Sequence, residues 1–219
     1  MSTSNTILAS VEGGIGSGKS TLLGYLRQHS TQFVYVDEPL SKWDQFKDAS
    51  GQTILQKFYA DPTKYGFSFQ IMALLSRMTA IRTAIKENPG KVIITERCLH
   101  TDKLVFARML NEAKHIEDVN YQIYQSCFDT FITECPVSAI IYVKTEPQTC
   151  QNRISKRSRA GEEAIPLEYL QSCDQYHEMM MEELNLPSLI LDGNVNIEDE
   201  PNLSENWRLQ IEAFIQTHQ

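Results

Sequence analysis

The chain has 219 residues, of which 42% are hydrophobic and 22% charged, a balance ordinary for a soluble globular protein with a substantial core. The formal net charge of -8 disfavours a general attraction to the nucleic-acid backbone, so we expect no nucleic-acid partner. No stretch approaches the roughly 20 apolar residues of a membrane span, and the amino terminus resembles neither a secretory nor a transit signal, so we expect no membrane partner and a cytoplasmic location.

Short apolar runs alternate along the chain with segments of helical periodicity. The predicted strands cover residues 6–13, 33–39, 91–97, 137–145 and 188–193. The predicted helices cover residues 19–29, 67–87, 101–113, 121–135, 146–158, 166–184 and 206–218, with Thr101 as the cap of the third. This alternation predicts one α/β domain over residues 1–219, with a parallel sheet covered by helices on both faces.

The segment directly after the first predicted strand has the spacing G-x-x-x-x-G-K-[ST] over residues 13–20. Glycines there allow successive backbone N–H groups to point at phosphate oxygens, and the following helix adds the positive end of its dipole. Lys19 would reach the terminal phosphates and Ser20 would bind Mg²⁺. The residues expected to hold a nucleoside triphosphate are Gly13, Gly14, Gly16, Ser17, Gly18, Lys19, Ser20 and Thr21.

A missing motif and the ends of two other predicted strands indicate which kind of P-loop protein this is. The sequence contains no N-K-x-D, the motif with which GTPases read guanine. The third strand ends in Glu96 and Arg97, where the acid could join Ser20 at the metal and the arginine could support the phosphoryl oxygens. The second strand ends in the tripeptide DEP, which contains Glu38. Because ligands of parallel sheets bind beyond the carboxyl ends of the strands, these residues are candidates for one site.

Further motifs follow in an order that resembles the deoxynucleoside kinases of the deoxycytidine/deoxyguanosine kinase type. The motifs are VEGGIGSGKST, DEP with a nearby Trp43, FYADPTKYGFSFQ leading into LLSR, TER with an Asp five residues after the Arg, TEPQTCQNRI, and KRSRAGEEAIPLEYL. The resemblance implies a P-loop kinase fold with a five-stranded parallel sheet. It also implies transfer of phosphate from ATP, or another nucleoside triphosphate, with Mg²⁺ to the 5'-hydroxyl of a small-molecule deoxynucleoside, in nucleotide salvage. Relatives are commonly homodimers, and the candidate interface helices here are residues 69–86 and 103–112.

The resemblance also assigns roles to single residues. Glu38 would accept the proton of the 5'-hydroxyl, which attacks poorly without an oriented acceptor, and Arg97 would donate to the 5'-oxygen and the phosphates. Tyr59 and Glu162 would bind the 3'-hydroxyl, and Gln70 would make two hydrogen bonds to the base. The remaining candidates for the substrate slot are Trp43, Leu55, Phe58, Phe69, Ala73, Arg77, Asp102 and Phe128.

The run RISKRSRAGEE concentrates positive charge in an otherwise acidic protein. It predicts a basic lid over about residues 153–164 that closes on the triphosphate, excludes water and supplies charge to the transition state. The candidate lid cations are Arg153, Arg157 and Arg159.

Residues near the base divide the family by substrate. A small residue, an arginine and an aspartate at positions 73, 77 and 102 resemble the kinases of deoxycytidine, deoxyguanosine and deoxyadenosine, whereas thymidine-preferring relatives commonly carry Met in place of Arg77. We therefore predict that these three nucleosides are preferred over thymidine, in an order that the sequence leaves open.

Three alternatives to this assignment remain open. They are a thymidine-preferring or broad-specificity deoxynucleoside kinase, a nucleoside monophosphate kinase, and a regulatory nucleotide-binding subunit. The carboxylate of Glu38 suits a neutral acceptor and would repel a phosphate, which disfavours the monophosphate kinase. A regulatory subunit is disfavoured because Glu38, Glu96 and Arg97 are all present.

Overall fold

Five strands form a parallel sheet in the computed structural model, which describes residues 6–157, 161–162, 165–195 and 200–218. The strands are β1 (Ile7–Glu12), β2 (Val34–Val36), β3 (Val92–Glu96), β4 (Ala139–Lys144) and β5 (Ser188–Asp192). They lie in the order β2-β3-β1-β4-β5, and each neighbouring pair is parallel. The predicted α/β class with a five-stranded parallel sheet is confirmed.

Helices connect the strands and cover the sheet. They are α1 (Lys19–His29), α2 (Leu40–Trp43), α3 (Ile54–Ala60), α4 (Pro62–Glu87), α5 (Thr101–Ala107, continued as Arg108–Glu112), α6 (Asp118–Phe131), α7 (Pro147–Arg157), α8 (Leu167–Leu184) and α9 (Leu203–Thr217). A short 3₁₀ turn, Ile132–Glu134, follows α6. Within the described ranges, none of these helices combines the length and the apolar character that a bilayer crossing requires.

The central strand β1 supplies side chains to a core on each face of the sheet. Ala9 and Val11 lie in a hydrophobic cluster that includes Trp207 of α9 and residues of α1. Leu8 points to the opposite face, into a cluster that includes Leu74 of α4 and residues of α6. The chain runs from β1 to β2 and back to β3 on one side of β1, and then crosses to β4 on the other side. The carboxyl end of β1 therefore lies at the point where the strand order reverses, which is where ligands bind in such sheets.

Between β2 and β3 the helices differ from the prediction, which contains neither α2 nor α3. The helix expected from residue 67 begins at Pro62, where Asp61 accepts a hydrogen bond from the Lys64 amide at 3.1 Å and proline occupies the first turn. Helix α3 was not predicted, although Thr53 and Gln56 form a capping box at its start. A capping side chain followed by proline in the first turn is a common signal for the start of a helix. In α4 this signal lies before the periodic apolar residues from which the helix was predicted.

Helix α5 also departs from the predicted geometry. Its first seven residues, Thr101–Ala107, are wound as a π-helix rather than an α-helix. The prediction that Thr101 caps this helix is wrong, because its hydroxyl lies within the helix and donates at 2.6 Å to the buried carboxylate of Glu12. π-Helical turns often lie at functional sites, and this one carries two residues of the cavity described next.

Candidate functional site

A cavity of about 290 Å³ opens at the carboxyl ends of β1, β2 and β3. Its volume is close to the lower end of the roughly 300–1,000 Å³ typical of small-molecule sites. Most of the residues predicted from the sequence line it. They are Gly16, Gly18, Lys19, Ser20, Thr21, Glu38, Trp43, Leu55, Phe58, Tyr59, Phe69, Gln70, Ala73, Arg77, Glu96, Arg97, Asp102, Arg153, Arg157 and Glu162.

The loop between β1 and α1 is shaped as a backbone cradle. At Gly13, with φ of 142°, a Cβ atom would stand 2.5 Å from the Val143 carbonyl oxygen, and at Gly16, with φ of 84°, it would stand 2.7 Å from that of Cys150. No side chain fits at either position, because the loop packs directly against the backbone of β4 and α7. Gly13, Gly14 and Ser17 form the back of this loop and do not line the cavity.

The ammonium group of Lys19 is held against this loop. Its Nζ donates to the carbonyl oxygens of Gly13 at 2.9 Å and Gly14 at 2.6 Å. Burial and, to a smaller extent, the charge of Arg97 lower the pKa of Lys19 to about 8, although the carboxylate of Glu96 opposes both effects. The site therefore holds a cation ready for phosphate, at a position where an anionic ligand would stabilise the charged form.

Ser20 and Glu96 form a pair of oxygen donors beside Lys19. The Ser20 hydroxyl donates to Oε1 of Glu96 at 2.9 Å, and this carboxylate is 6% exposed at the end of β3. Hydroxyl and carboxylate oxygens are the hard ligands that Mg²⁺ takes in nucleotide sites, usually together with waters and phosphate oxygens. The two residues therefore fit the predicted metal.

Glu38 lies between two arginines on the opposite wall. Its Oε1 accepts from Nη1 of Arg97 at 2.6 Å and from Nη2 of Arg77 at 3.0 Å. Burial alone would raise the pKa of Glu38, but the two guanidinium groups outweigh it and lower the pKa to about 2. Glu38 is therefore a carboxylate at every physiological pH.

Arg77 ties three parts of the site together. Besides Glu38, its Nε donates to Oδ2 of Asp102 at 2.9 Å and its Nη1 donates to the backbone carbonyl of Glu96 at 2.6 Å. The residue is only 2% exposed, so a charge there is stable only because each of these partners is present. The structure thus brings Arg77 and Asp102 together as expected, and it adds a contact to β3 that the sequence did not suggest.

Aromatic rings form a flat apolar slot next to these charges. Phe69 packs edge-on against Trp43, with ring centroids 5.3 Å apart, and stacks on Phe58 at 4.7 Å. The indole Nε1 of Trp43 donates to Ser76 at 2.8 Å, which holds its plane. Gln70, 2% exposed, places a two-sided hydrogen-bonding amide at the edge of this slot. The combination suits a planar heterocycle with polar edges.

Phe128 does not lie on the cavity wall. It packs in the hydrophobic core beneath α4, with the Lys103 ammonium 4.2 Å above its ring. The aromatic ring that lines the cavity instead is that of Phe106, which lies 5.2 Å from the guanidinium carbon of Arg97. Phe106 follows Asp102 by four residues on α5, and this spacing on one helix was the sequence signal for it. The other lining residues that the sequence analysis missed are Ile15, Leu40 and Tyr169.

The two residues predicted to bind the sugar, Tyr59 and Glu162, both line the cavity. Burial and the charge of Glu162 raise the pKa of Tyr59, so its phenol stays protonated and can act as a donor. Glu162 is 4% exposed and its carboxylate accepts a hydrogen bond from Nη2 of Arg157. A phenol donor and a carboxylate acceptor on the wall of one cavity suit a hydroxyl group.

Only part of the predicted lid can be placed. Arg159 lies outside the described residues. The guanidinium of Arg153 donates to the backbone carbonyls of Ser17 at 3.3 Å, Gly193 at 2.7 Å and Val195 at 3.2 Å. Arg153 therefore joins the phosphate cradle to the loop after β5 instead of standing clear of both.

Comparison with known proteins agrees with this geometry. A family model described as deoxynucleoside kinase matches residues 9–216. Deoxycytidine kinase 2 of Gallus gallus is 33% identical, with 94% of this chain and 89% of the relative aligned. The probable deoxycytidine kinase of fowlpox virus (strain NVSL) is 32% identical over 94% and 87%, and the mitochondrial deoxyguanosine kinase of Xenopus laevis is 27% identical over 94% and 88%. The chain therefore belongs to the deoxynucleoside kinase family and is a phosphotransferase.

Proposed function

We propose that the chain transfers the terminal phosphoryl group of ATP to the 5'-hydroxyl of a deoxynucleoside and gives the 5'-monophosphate and ADP. The observation that carries this proposal is the position of Glu38, a carboxylate on the wall opposite the phosphate cradle. A carboxylate there accepts a hydrogen bond from a neutral alcohol and repels a phosphate-bearing acceptor. The names of the relatives, which include deoxycytidine and deoxyguanosine kinases, support the same acceptor class.

The reaction combines phosphoryl transfer at the phosphate cradle with proton transfer to Glu38 on the opposite wall. The 5'-oxygen attacks the γ-phosphorus as the bond to the bridging oxygen breaks, and the 5'-hydroxyl proton passes to Glu38. Since the pKa of Glu38 is lowered to about 2, this proton transfer occurs late, when the attacking oxygen already carries the phosphoryl group. Such timing agrees with the loose transition state of phosphoryl transfer, in which positioning and charge do most of the work.

The cations supply the charge that this transition state needs. Lys19 lies where the β- and γ-phosphates would pass over the cradle, and Arg97 lies between Glu38 and the ring of Phe106. Arg97 Nε is buried and has no hydrogen-bond partner within the described ranges, and it is therefore available to the phosphoryl oxygens. Ser20 and Glu96 would hold Mg²⁺, which would neutralise charge on the phosphates.

The aromatic slot and its polar edge define the acceptor. We propose that Phe69, backed by Phe58, stacks on the base, that Gln70 reads its edge, and that Tyr59 and Glu162 bind the 3'-hydroxyl. Arg77 and Asp102 would crowd the 5-methyl group of thymine, so deoxyadenosine, deoxycytidine or deoxyguanosine is preferred to thymidine.

Two further proposals concern the chain as a whole. A homodimer would use the segments 69–86 and 103–112, and Leu75 of α4, an exposed apolar side chain, would lie on its interface. A cytoplasmic location is the second of these proposals.

The test of the proposed function is a panel of acceptors with ATP and Mg²⁺: the four deoxynucleosides and dTMP. We expect turnover of at least one of the three preferred nucleosides, weak turnover of thymidine and none of dTMP. Glu38→Gln should reduce kcat by about 100-fold or more, because the amide cannot accept the proton.

The matched control is Asp37→Asn, which makes the same chemical change at the neighbouring residue. Asp37 is exposed and pairs with Arg27, so its removal should leave kcat within about twofold. Thermal melts of both variants separate loss of catalysis from loss of folding. Turnover of dTMP alone, or consumption of ATP without any acceptor, would contradict the proposed acceptor site.

A further inference from the structure

Glu12, the last residue of β1, is a buried carboxylate to which neither the proposed chemistry nor the family resemblance assigns a role. It is 0% exposed and directly precedes the glycines of the phosphate cradle. An isolated carboxylate at such a depth is expensive, so its hydrogen-bond partners indicate why it is there.

The two oxygens of Glu12 hold two different segments of the site. Oε1 accepts the backbone N–H of Cys98 at 2.9 Å and also the hydroxyl of Ser10. Oε2 accepts the hydroxyl of Thr101 at 2.6 Å. One oxygen therefore anchors the turn that follows β3, and the other anchors the π-helical start of α5, whose next residue is Asp102.

The turn that Glu12 anchors contains a strained residue. Arg97 has φ of 63°, a left-handed conformation that costs a non-glycine residue of order 1–3 kcal/mol and persists only where neighbouring contacts enforce it. Its own N–H donates to the Val11 carbonyl at 3.0 Å, its carbonyl accepts from Thr95 at 3.0 Å, and the next N–H is the one bound by Glu12. The bond from Glu12 is the one among these three that comes from a charged side chain.

We propose that Glu12 is a positioning residue that holds Arg97 in its strained conformation and so aims the guanidinium at the transferring phosphoryl group. The inference rests on the proposed function, in which Arg97 contacts the reacting atoms. Because Glu12 joins β1 to the turn and to α5 at once, it also sets the distance between the phosphate cradle and the acceptor wall.

Kinetics of Glu12→Met and Glu12→Gln test this role. Methionine has a similar length but cannot accept both bonds, so we expect kcat to fall on the order of 100-fold, while KM for ATP and for the nucleoside stays within about threefold. Glutamine keeps one oxygen for the Cys98 N–H, and the Thr101 hydroxyl can rotate to accept from its amide. Glu12→Gln should therefore recover kcat to within about fivefold of the wild type.

Hydrogen exchange gives a readout that does not depend on activity. In Glu12→Met the Cys98 amide should exchange at least about tenfold faster than in the wild type, and in Glu12→Gln it should stay protected. A wild type that phosphorylates no deoxynucleoside would refute the proposed function, and the exchange data would still judge the role of Glu12. An unchanged Cys98 amide in folded Glu12→Met would overturn the positioning role, as would an unchanged kcat in that variant when the wild type is active.

Two side chains around Glu12 supply the controls. Ser10→Ala removes a hydrogen-bond donor to Glu12 that lies in neither the turn after β3 nor α5, and it should leave kcat within about twofold. A loss of kcat as large as that of Glu12→Met would instead assign the effect to β1 in general. Thr101→Val removes the α5 contact with Glu12 and a 3.6 Å contact with the Cys98 thiol, keeps the bond from Glu12 to the Cys98 amide, and serves if Glu12→Met does not fold. We expect it to lower kcat by about fivefold at unchanged KM, and a rise in KM alone would overturn the proposal.

Discussion

The charged side chains of the cavity form a balanced set in which each member depends on others. Glu38 binds both Arg77 and Arg97, and Arg77 also binds Asp102. Buried charges are costly unless they are paired and hydrogen-bonded, and removal of one member leaves another uncompensated. Substitutions here therefore change stability as well as chemistry, and each needs a control that reports folding.

At Arg77 we expect a change of base preference. Arg77→Met removes the guanidinium that, in the proposed function, would crowd the thymine methyl group, so the ratio of kcat/KM for thymidine to that for deoxycytidine should rise by about tenfold or more. Asp102 loses its buried partner, and the free energy of unfolding should fall by roughly 3–5 kcal/mol.

The matched control for this variant is Arg82→Met on the same helix. Arg82 is half exposed and pairs with Glu134 at the surface, so neither the substrate ratio nor the stability should change appreciably. The account of base selectivity fails if the ratio for Arg77→Met stays at the wild-type value.

At Lys19 we expect nucleotide affinity to depend on pH. The pKa of this group in the free enzyme is lowered to about 8, and bound phosphate favours the protonated form, so affinity falls as pH rises through this value. Linkage gives about tenfold weaker binding of MgATP at pH 9 than at pH 7, as measured by titration calorimetry without acceptor.

Lys19→Arg tests the cause of that dependence. Arginine stays protonated throughout this range, so the affinity of the variant, even if lower overall, should be flat between pH 7 and pH 9. An equally steep dependence in both proteins would assign the titration to another group.

At the scale of single elements, α5 and α6 show why the sequence analysis assigned Phe128 of α6, and not Phe106 of α5, to the cavity wall. Phe106 and Phe128 both lie on helices with apolar neighbours, and periodicity alone does not say which helix face meets a cavity. The structure separates them, since Phe128 is sealed in the core and Phe106 is partly open toward Arg97. The π-helical winding of α5, which no sequence pattern indicated, sets where Asp102 and Phe106 face.

This difference predicts opposite phenotypes for the same substitution. Phe106→Leu should raise KM for the nucleoside by up to about tenfold, because a ring contact at the cavity wall is lost. Phe128→Leu should leave KM unchanged and lower the free energy of unfolding by roughly 1–3 kcal/mol, because it opens a gap in the core. Steady-state kinetics and urea melts of both variants measure the contrast, and an effect of Phe128→Leu on KM would contradict it.

Helices α2 and α3 were missed for a different reason. Each is short, four and seven residues respectively, so neither builds the apolar stripe on which a helix prediction depends. The start of α3 did carry a local signal in Thr53 and Gln56, and Asp61 with Pro62 marked the start of α4. Capping chemistry therefore identifies helices that periodicity overlooks.

At the scale of the whole molecule, the sheet was predictable and the contacts between its loops were not. The apolar β-branched runs identified all five strands, and the rule for parallel sheets placed Glu38, Glu96 and Arg97 near the phosphate cradle. The hydrogen bonds between Arg77 and the Glu96 carbonyl and between Glu12 and the Cys98 amide depend on how far side chains reach across neighbouring elements. Such reach is decided by tertiary packing, which a single sequence does not record.

The separation of the two walls has a consequence for how such an enzyme can diversify. The proposed slot for the base is built by α2, α3, α4 and α5, whereas the proposed phosphate chemistry belongs to the ends of β1, β2 and β3. Mutations in the helices can adapt the slot to a new nucleoside or a synthetic analogue without disturbing the transfer machinery. Arg77 is the exception, since its Nη1 also supports the carbonyl of Glu96. A lineage that changes its substrate by replacing Arg77 also loses this support of β3, so a gain in selectivity lowers turnover. We therefore expect compensating substitutions near the end of β3 to accompany such a change.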